Sequence, residues 1–153
     1  MDAAKAESID SDSSLVFRSI PSGFIPSIVA SVSIEGCNTD ISIMEFTDKL
    51  FVVISQYKKL GTLVLITKDA ANCDNPQKLV YTTKVLFGKD EAEVDATAKL
   101  IAMTIKSSKT VLLSLALKKF SPTIVRSIAA AVATQLVSFN SPVHQNVIPG
   151  TSS

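Results

Sequence analysis

The stretch SQYKKLGTLVLI, residues 55–66, decides how the fold of this 153-residue chain is interpreted. Two lysines and a glycine separate apolar runs on either side, and Gly61 is free to take a positive φ. The segment therefore predicts a tight hairpin between strands at 50–57 and 62–67. The first of these strands shows little alternation, which predicts burial on both of its faces.

Four more strands are predicted on either side of this hairpin, at 28–35, 40–46, 78–87 and 110–117. GCNT at 36–39 is a predicted turn that places Cys37 in a loop, and 68–77 is a long polar connection. Short links between the first five strands predict an antiparallel meander. The one helix-length crossover allows a single parallel pair.

Two helices follow from capping signals and apolar stripes. Asp90 is the predicted N-cap of the first helix, with Glu93 completing a capping box, and Ser121 caps the second. The stripes are Val94, Ala98, Ile101 and Ile105 in the first helix, and Val125, Ile128, Val132 and Leu136 in the second. One stripe per helix places both on one face of the sheet. The predicted fold is α+β: a single, mostly antiparallel sheet of about six strands with two helices on one face.

Composition divides the chain into three parts. Residues 1–27 are a predicted disordered or loosely attached extension, 28–139 the α+β domain, and 140–153 a flexible tail. The first fourteen residues lack the apolar stretch of a signal sequence. We therefore expect a cytoplasmic protein, with the nucleus as an open alternative.

The balance of charge and hydropathy favours protein partners. Charged residues are only 19% of the chain and mean hydropathy is +0.33, which predicts a dimer or another covered surface. The net charge is +1 and lysines far outnumber arginines, so we expect no nucleic acid. The apolar runs fall short of the roughly 20 residues needed to span a bilayer, so we expect no membrane.

No catalytic constellation is present in the sequence. Gly88-Lys89-Asp90 lacks the glycine spacing and the hydroxyl residue of a phosphate loop. Four carboxylates crowd the start of the first helix, where they complement its dipole: Asp90, Glu91, Glu93 and Asp95. The remaining candidates, Cys37, Cys73 and His144, have no partner nearby in sequence. We therefore expect no catalytic residue, no metal site and no cofactor.

Two exposed loops are the candidate partner-binding elements. Lys58 and Lys59 occupy the predicted hairpin tip, where they could contact an acidic partner. The 68–77 connection is longer than a hairpin requires and carries polar side chains suited to recognition. Its candidate contact residues are Asp69, Asn72, Asp74 and Asn75.

Three strings carry a family resemblance: ISQYKKLGTLVLI at 54–66, LVYTTKVLFGKDE at 79–91 and VLLSLALK at 111–118. In this order and spacing they closely resemble the proteasome assembly chaperone 3 family, from about residue 31 to 137. The resemblance implies a small α+β protein that pairs with assembly chaperone 4 or with itself. It also implies that the pair promotes assembly of proteasome α subunits into the core-particle ring, without ATP or an active site.

Two other classes of function remain open at this stage. One is a small dimeric α+β adaptor subunit of a trafficking or signalling complex, bound stably to that complex. The other is an enzyme or ligand carrier, which would need a deep apolar pocket with convergent polar groups.

Overall fold

The computed structural model describes residues 25–69 and 80–140. Six strands and two helices lie there. The strands are β1 (Ser27–Ile34), β2 (Cys37–Glu45), β3 (Lys49–Ser55), β4 (Thr62–Asp69), β5 (Val80–Phe87) and β6 (Thr110–Ala116). The helices are α1 (Ala92–Ile105) and α2 (Pro122–Phe139). The predicted α+β class, with about six strands in one sheet, is confirmed. The predicted extension at 1–27 and tail at 140–153 lie mostly outside the described residues and stay predictions.

The strands form one sheet in the order β1-β2-β3-β6-β4-β5. Strand β6 lies between β3 and β4, parallel to the first and antiparallel to the second. The predicted hairpin between β3 and β4 is therefore wrong, although the single parallel pair is confirmed. The physical reason is burial: β6 carries buried Val111, Leu113 and Leu115, and a central position covers these better than an edge would.

Strand β3 is buried on one face only. Leu50, Val52 and Ile54 are buried, whereas Phe51 and Val53 remain partly exposed. The prediction of burial on both faces is thus wrong for this strand. Both helices lie on the same side of the sheet, and no element of the described chain packs over the other side.

Between β1 and β2 the chain turns over two residues, Glu35 and Gly36, whose φ values are 48° and 76°. Ile34 pairs directly with Cys37 across this turn. Two consecutive positive φ values are typical of a type I′ hairpin, whose twist matches that of the strands. The turn is therefore shorter than predicted, and Cys37 is the first residue of β2 rather than a loop residue.

Helix α1 begins later than predicted. Its N-cap is Glu91, and no side chain makes a capping hydrogen bond there, so the predicted cap at Asp90 is wrong. The apolar stripe is confirmed, because Val94, Ala98 and Ile101 are buried. Packing of this stripe on β4, β5 and β6 positions the helix without help from a cap.

Helix α2 begins as predicted. The Ser121 hydroxyl accepts a hydrogen bond from the Ile124 amide at 3.3 Å, and Pro122 is the first helical residue. The helix has 18 residues and a mean hydropathy of 1.3, enough by length and composition to cross a bilayer. Val125, Ile128 and Val132 are buried in the core against the sheet and α1, which is the usual reason for such apolarity in a packed domain.

Candidate interaction surfaces

The side of the sheet opposite the helices is apolar across its centre. The strand registers place side chains from β2, β3, β6 and β4 in one row: Met44 opposite Phe51, Phe51 opposite Leu112, and Leu112 opposite Leu65. A neighbouring row adds Val53 and Leu63, separated by Ser114. We call this surface the open face. Within the described chain no helix or strand packs over it, although Ser114 is buried where Gly61 donates a hydrogen bond to its hydroxyl. The rest is a large apolar patch of the kind that marks an interaction site.

A β-bulge enlarges the open face at the β5 edge. Val64 pairs with Val85, but Leu63 pairs with Phe87, which leaves Leu86 as the extra residue of the bulge. Phe87 is 73% exposed and Leu86 is also exposed. The edge strand therefore presents two large apolar side chains beside the central rows.

A six-residue segment joins β3 to β4 at one end of the sheet, and we call residues 56–61 the end loop. Ser55 holds it through three hydrogen bonds: its hydroxyl accepts from the amides of Tyr57 and Lys59 and donates to the Lys59 carbonyl. These contacts are 3.2, 3.1 and 2.8 Å long. A buried hydroxyl thus fixes the loop backbone from inside.

Two further buried side chains attach the end loop to neighbouring strands. The Gln56 amide nitrogen donates to the Thr39 hydroxyl at 3.0 Å, and its oxygen accepts from the Lys118 amide at 2.9 Å. The Gly61 amide donates to the Ser114 hydroxyl, also at 3.0 Å. The loop is therefore connected to β2, to β6 and to the residues that follow β6.

The glycine of the end loop is needed for space rather than for its φ. A Cβ at Gly61 would lie 1.9 Å from the Leu115 carbonyl oxygen, so only glycine lets the chain pass β6. The positive φ expected there belongs to Lys58, at 57°. The prediction that Gly61 takes a positive φ is thus wrong.

Lysines surround an aromatic ring on this loop. Tyr57 is 50% exposed, and the amino groups of Lys59 and Lys118 lie 5.4 and 5.7 Å from its ring centroid. Both distances fall within the range of a cation–π contact. Leu60 adds an apolar side chain that is 63% exposed.

The predicted contact residues separate into different regions. Lys58 and Lys59 both lie on the end loop, and Lys58 reaches the Asp40 carboxylate at 3.3 Å. Asp69 is the last residue of β4 and accepts a hydrogen bond from the Thr82 hydroxyl. Because β4 begins at the end loop, Asp69 lies about 23 Å from it by strand rise. Asn72, Asp74 and Asn75 lie outside the described residues.

Groups with catalytic potential are dispersed over the described chain. No three His, Cys, Asp or Glu side chains of residues 25–69 and 80–140 meet in a metal-binding arrangement. Asp95 is engaged structurally: the Thr83 hydroxyl and then Lys99, 2.9 Å away, hold the pKa of its carboxyl below the usual value. These contacts attach α1 to β5 and provide no reactive group.

A small cleft lies at the other end of the sheet. Its volume is about 190 Å³, and its lining includes Glu45 and Lys109, which form an ion pair at 2.9 Å. Pockets that bind cofactors or drug-sized ligands are roughly 300–1,000 Å³ and mainly apolar. The cleft is thus too small and too polar to support a ligand-carrier function.

Sequence reasoning missed the open face and the role of Tyr57. Phe51, Leu112 and Leu65 were interpretable as core residues, because an apolar side chain in a strand carries no mark of the face it occupies. The available signal was that these side chains alternate along their strands with buried ones. Which face of a strand a helix covers cannot be inferred from the strand's own sequence, because it depends on distant residues. Lys118 meets Tyr57 only because β6 lies beside β3.

Comparison with known proteins is consistent with this architecture. The family model for Proteasome assembly chaperone 3 matches residues 52–135, from β3 to α2. Proteins named Proteasome assembly chaperone 3 from Nematostella vectensis and Bos taurus are 34% and 36% identical to this chain over 104 and 100 residues. The matches span 62% and 63% of this chain, and 77% and 81% of the relatives. The human protein of that name is 36% identical over 86 residues, covering 54% of this chain and 70% of its own.

A solved structure shares the fold. It is described as "Crystal Structure of a Novel Chaperone Complex for Yeast 20S Proteasome Assembly" and aligns with a TM-score of 0.57 at 10% identity. The alignment covers 71% of this chain and 96% of that chain. The match of the family model over more than half of the sequence, with relatives of the same name, establishes the assignment. This chain belongs to the proteasome assembly chaperone 3 family.

Proposed function

We propose that this protein is a non-enzymatic chaperone that promotes assembly of the α-subunit ring of the proteasome core particle. We further propose that it acts in the cytoplasm as a dimer, either with an assembly chaperone 4-like subunit or with a second copy of itself. Family membership supports the assembly role. The observation that carries the dimer is the open face, with its rows of apolar side chains.

The open face has the size and chemistry of a subunit interface. Six strands about 4.8 Å apart and about 20 Å long give a plane of about 600 Å². Protruding side chains make the accessible surface larger than this flat area. A standard interface buries about 800 Å² per partner, which is similar. Its central rows contain Met44, Phe51, Leu65 and Leu112, and the charged residues Asp40 on β2 and Lys84 on β5 lie at their margins. The apolar part of the plane is therefore its centre.

A second sheet of the same kind is the partner that fits. Two apolar sheet faces pack about 10 Å apart with their strands roughly aligned, and the side chains of both interdigitate. The exposed edge residues Leu86 and Phe87 would extend that contact beyond the central rows. A sister subunit with the same fold supplies such a face.

Action through surfaces also supports the non-enzymatic part of the proposal. The described chain has a small polar cleft, and its perturbed carboxylates are held in exposed structural contacts. A chaperone requires only a surface that holds its client until other subunits replace it. Apolar and charged loops provide that surface here.

The dimer is tested by placing a charge on the open face. Leu112→Glu introduces an unpaired carboxylate at its centre, and desolvation of that group opposes pairing. We expect light scattering at about 20 µM, a concentration above typical interface dissociation constants, to show a dimer for the parent protein and a monomer for the variant. Ala130→Glu, on the exposed side of α2, adds the same charge and should leave the dimer intact.

Melting curves decide whether the variant is informative. Leu112→Glu should keep a cooperative transition, because in the isolated subunit this side chain faces solvent. A parent protein that is monomeric both alone and with an assembly chaperone 4-like subunit would refute the dimer.

Size fractionation of cell extract tests the assembly role: co-migration with proteasome precursors supports it. Stable co-migration with a mature complex would favour the adaptor function.

A further inference from the structure

We propose that the end loop, together with Lys118, is a docking site for an acidic polypeptide segment that carries an apolar side chain beside its carboxylates. The site lies where β3 ends, beyond the central rows of the open face. It is a separate feature from the sheet-to-sheet contact proposed above, and it can exist with or without that contact.

Buried polar side chains are concentrated around the end loop. The described chain contains six buried polar side chains: Thr39, Ser55, Gln56, Thr97, Ser114 and Gln135. Four of them, Thr39, Ser55, Gln56 and Ser114, belong to the hydrogen-bond network that holds the end loop. Burying polar groups costs free energy unless each is paired, and a loop that only connects two strands needs no such network.

The backbone at the loop tip adopts a left-handed conformation. Lys58 has φ of 57°, a region that costs a lysine free energy and persists only where surrounding contacts impose it. Lys58 and Lys59 diverge from this point: Lys58 reaches Asp40 on β2, and Lys59 lies over Tyr57. A rigid loop backbone loses little entropy on binding, so the positions from which the lysine side chains extend are fixed before a ligand arrives.

Two lysines with no ion-pair partner among the described residues lie around the Tyr57 ring. Lys59 and Lys118 both approach Tyr57, at 5.4 and 5.7 Å from its ring centroid, so their amino groups are at most about 11 Å apart. Neither lysine makes an ion pair with any described residue, and the adjacent Lys119 is also exposed. A ring face compensates two ammonium groups only partly, and carboxylates are the complementary ligand.

The apolar part of the site comes from Tyr57 and Leu60. Both side chains are at least half exposed while the loop beneath them is fixed. An exposed aromatic and an exposed aliphatic side chain, with lysines at their rim, match a segment that alternates apolar and acidic residues. This pattern is that of an interface with an apolar centre and a charged rim.

Nucleic acid fits the same surface less well. The site has no arginine for bidentate phosphate contacts and one aromatic ring rather than a series for stacking bases. The whole chain carries a net charge of only +1. An acidic polypeptide requires neither feature, so the observations favour it.

The experiment uses the full-length protein and a defined probe. A dye-labelled octapeptide with four glutamates and one phenylalanine is titrated and followed by fluorescence anisotropy at low salt. We expect it to bind, and Lys59→Gln combined with Lys118→Gln to weaken it about tenfold, a loss spread over two rim charges. The matched control, Lys99→Gln with Lys106→Gln, removes the same charge from α1 and should change affinity by less than about twofold.

Further probes separate the sources of binding. A peptide with glutamine in place of every glutamate should bind at least about tenfold more weakly, and Tyr57→Ala should weaken the acidic peptide as well. No binding of the acidic peptide up to about 1 mM, the limit of weak recognition, would overturn the proposal. So would an equal loss in the α1 control, or tighter binding of an eight-residue oligothymidylate than of the peptide.

Light scattering of the same samples distinguishes loss of peptide binding from loss of the proposed dimer. The Lys59 and Lys118 variant should retain the parent's mass while losing the peptide. Leu112→Glu should lose the dimer and keep peptide binding. If the lysine variant lost both the dimer mass and peptide binding, the loop would act through the dimer. That result would contradict a separate site.

Discussion

The two faces of the sheet differ in what covers them: both helices pack on one face, and no described element packs on the other. Leu112 and Leu113 are consecutive residues of β6 with identical side chains. Leu113 pairs with Val52 and Val64 on the helix side and is 0% exposed, whereas Leu112 pairs with Phe51 and Leu65 on the open face and is only half-buried. Apolar side chains on the helix side are buried when the chain folds. Those on the open face remain accessible, so they can be buried against a partner.

Truncation of these two leucines is the sharpest test of that comparison. Leu113→Ala should destabilise the protein by about 2–5 kcal/mol, because it leaves a cavity among Val52, Val64 and the helices. Leu112→Ala should cost about 1 kcal/mol or less in the monomer, where no cavity forms. Denaturant unfolding at two protein concentrations gives both values. Equal losses in dilute protein would contradict the description of the open face as uncovered.

Two glycines distinguish a crowded strand from an exposed turn. Gly61→Ala places a Cβ against the Leu115 carbonyl and should cost about 3 kcal/mol, the upper end of overpacking penalties. Gly36→Ala has open space around it but a φ of 76°, so it should cost about 1 kcal/mol. Thermal melts of both variants measure the difference. The reverse order would mean that β4 can move away from β6 without loss of packing.

The smallest expected effect concerns the contact between α1 and β5. Thr83 and Lys99 lower the pKa of Asp95, so this carboxylate stabilises the fold above its ordinary pKa of about 3.8, and the contribution is lost as pH falls through the lowered value. The pair is partly exposed and screened by solvent, so Asp95→Asn should cost about 0.5 kcal/mol or less at pH 7. The difference in Tm from the parent should shrink as the pH falls below 3.8 and vanish once the carboxyl is protonated in the folded state. A difference that persists there would assign the effect to packing instead of charge.

Local signals predicted the elements well. The Ser121 cap and the stripe through Ile128 and Val132 depend on residues within a few turns of each other, and the structure confirms both. The first helix had an equally clear stripe, but packing on the sheet began it after Glu91 without using the predicted cap. Errors of this kind arise where tertiary contacts outweigh a local preference of about 1 kcal/mol.

Strand order and the composition of the end loop required long-range contacts. A short link between β3 and β4 favours a hairpin, but insertion of β6 buries three more apolar side chains and so prevails. The same insertion brings Lys118 to Tyr57 and Ser114 to Gly61. Lys58 and Lys59 were recognisable as exposed loop lysines, whereas the ring between two lysines was not.

The number and type of elements, the α+β class, the two helix stripes and the family all follow from the sequence alone. These depend on periodicity, caps and specific strings, all of which act over short separations. Long-range contacts place β6 between β3 and β4, leave one face of the sheet without a helix or strand over it in residues 25–69 and 80–140, and let buried Ser55 and Gln56 fix the end loop. The physical reason is that burial and hydrogen bonding of a side chain depend on neighbours from distant parts of the chain, and these neighbours exist only after folding.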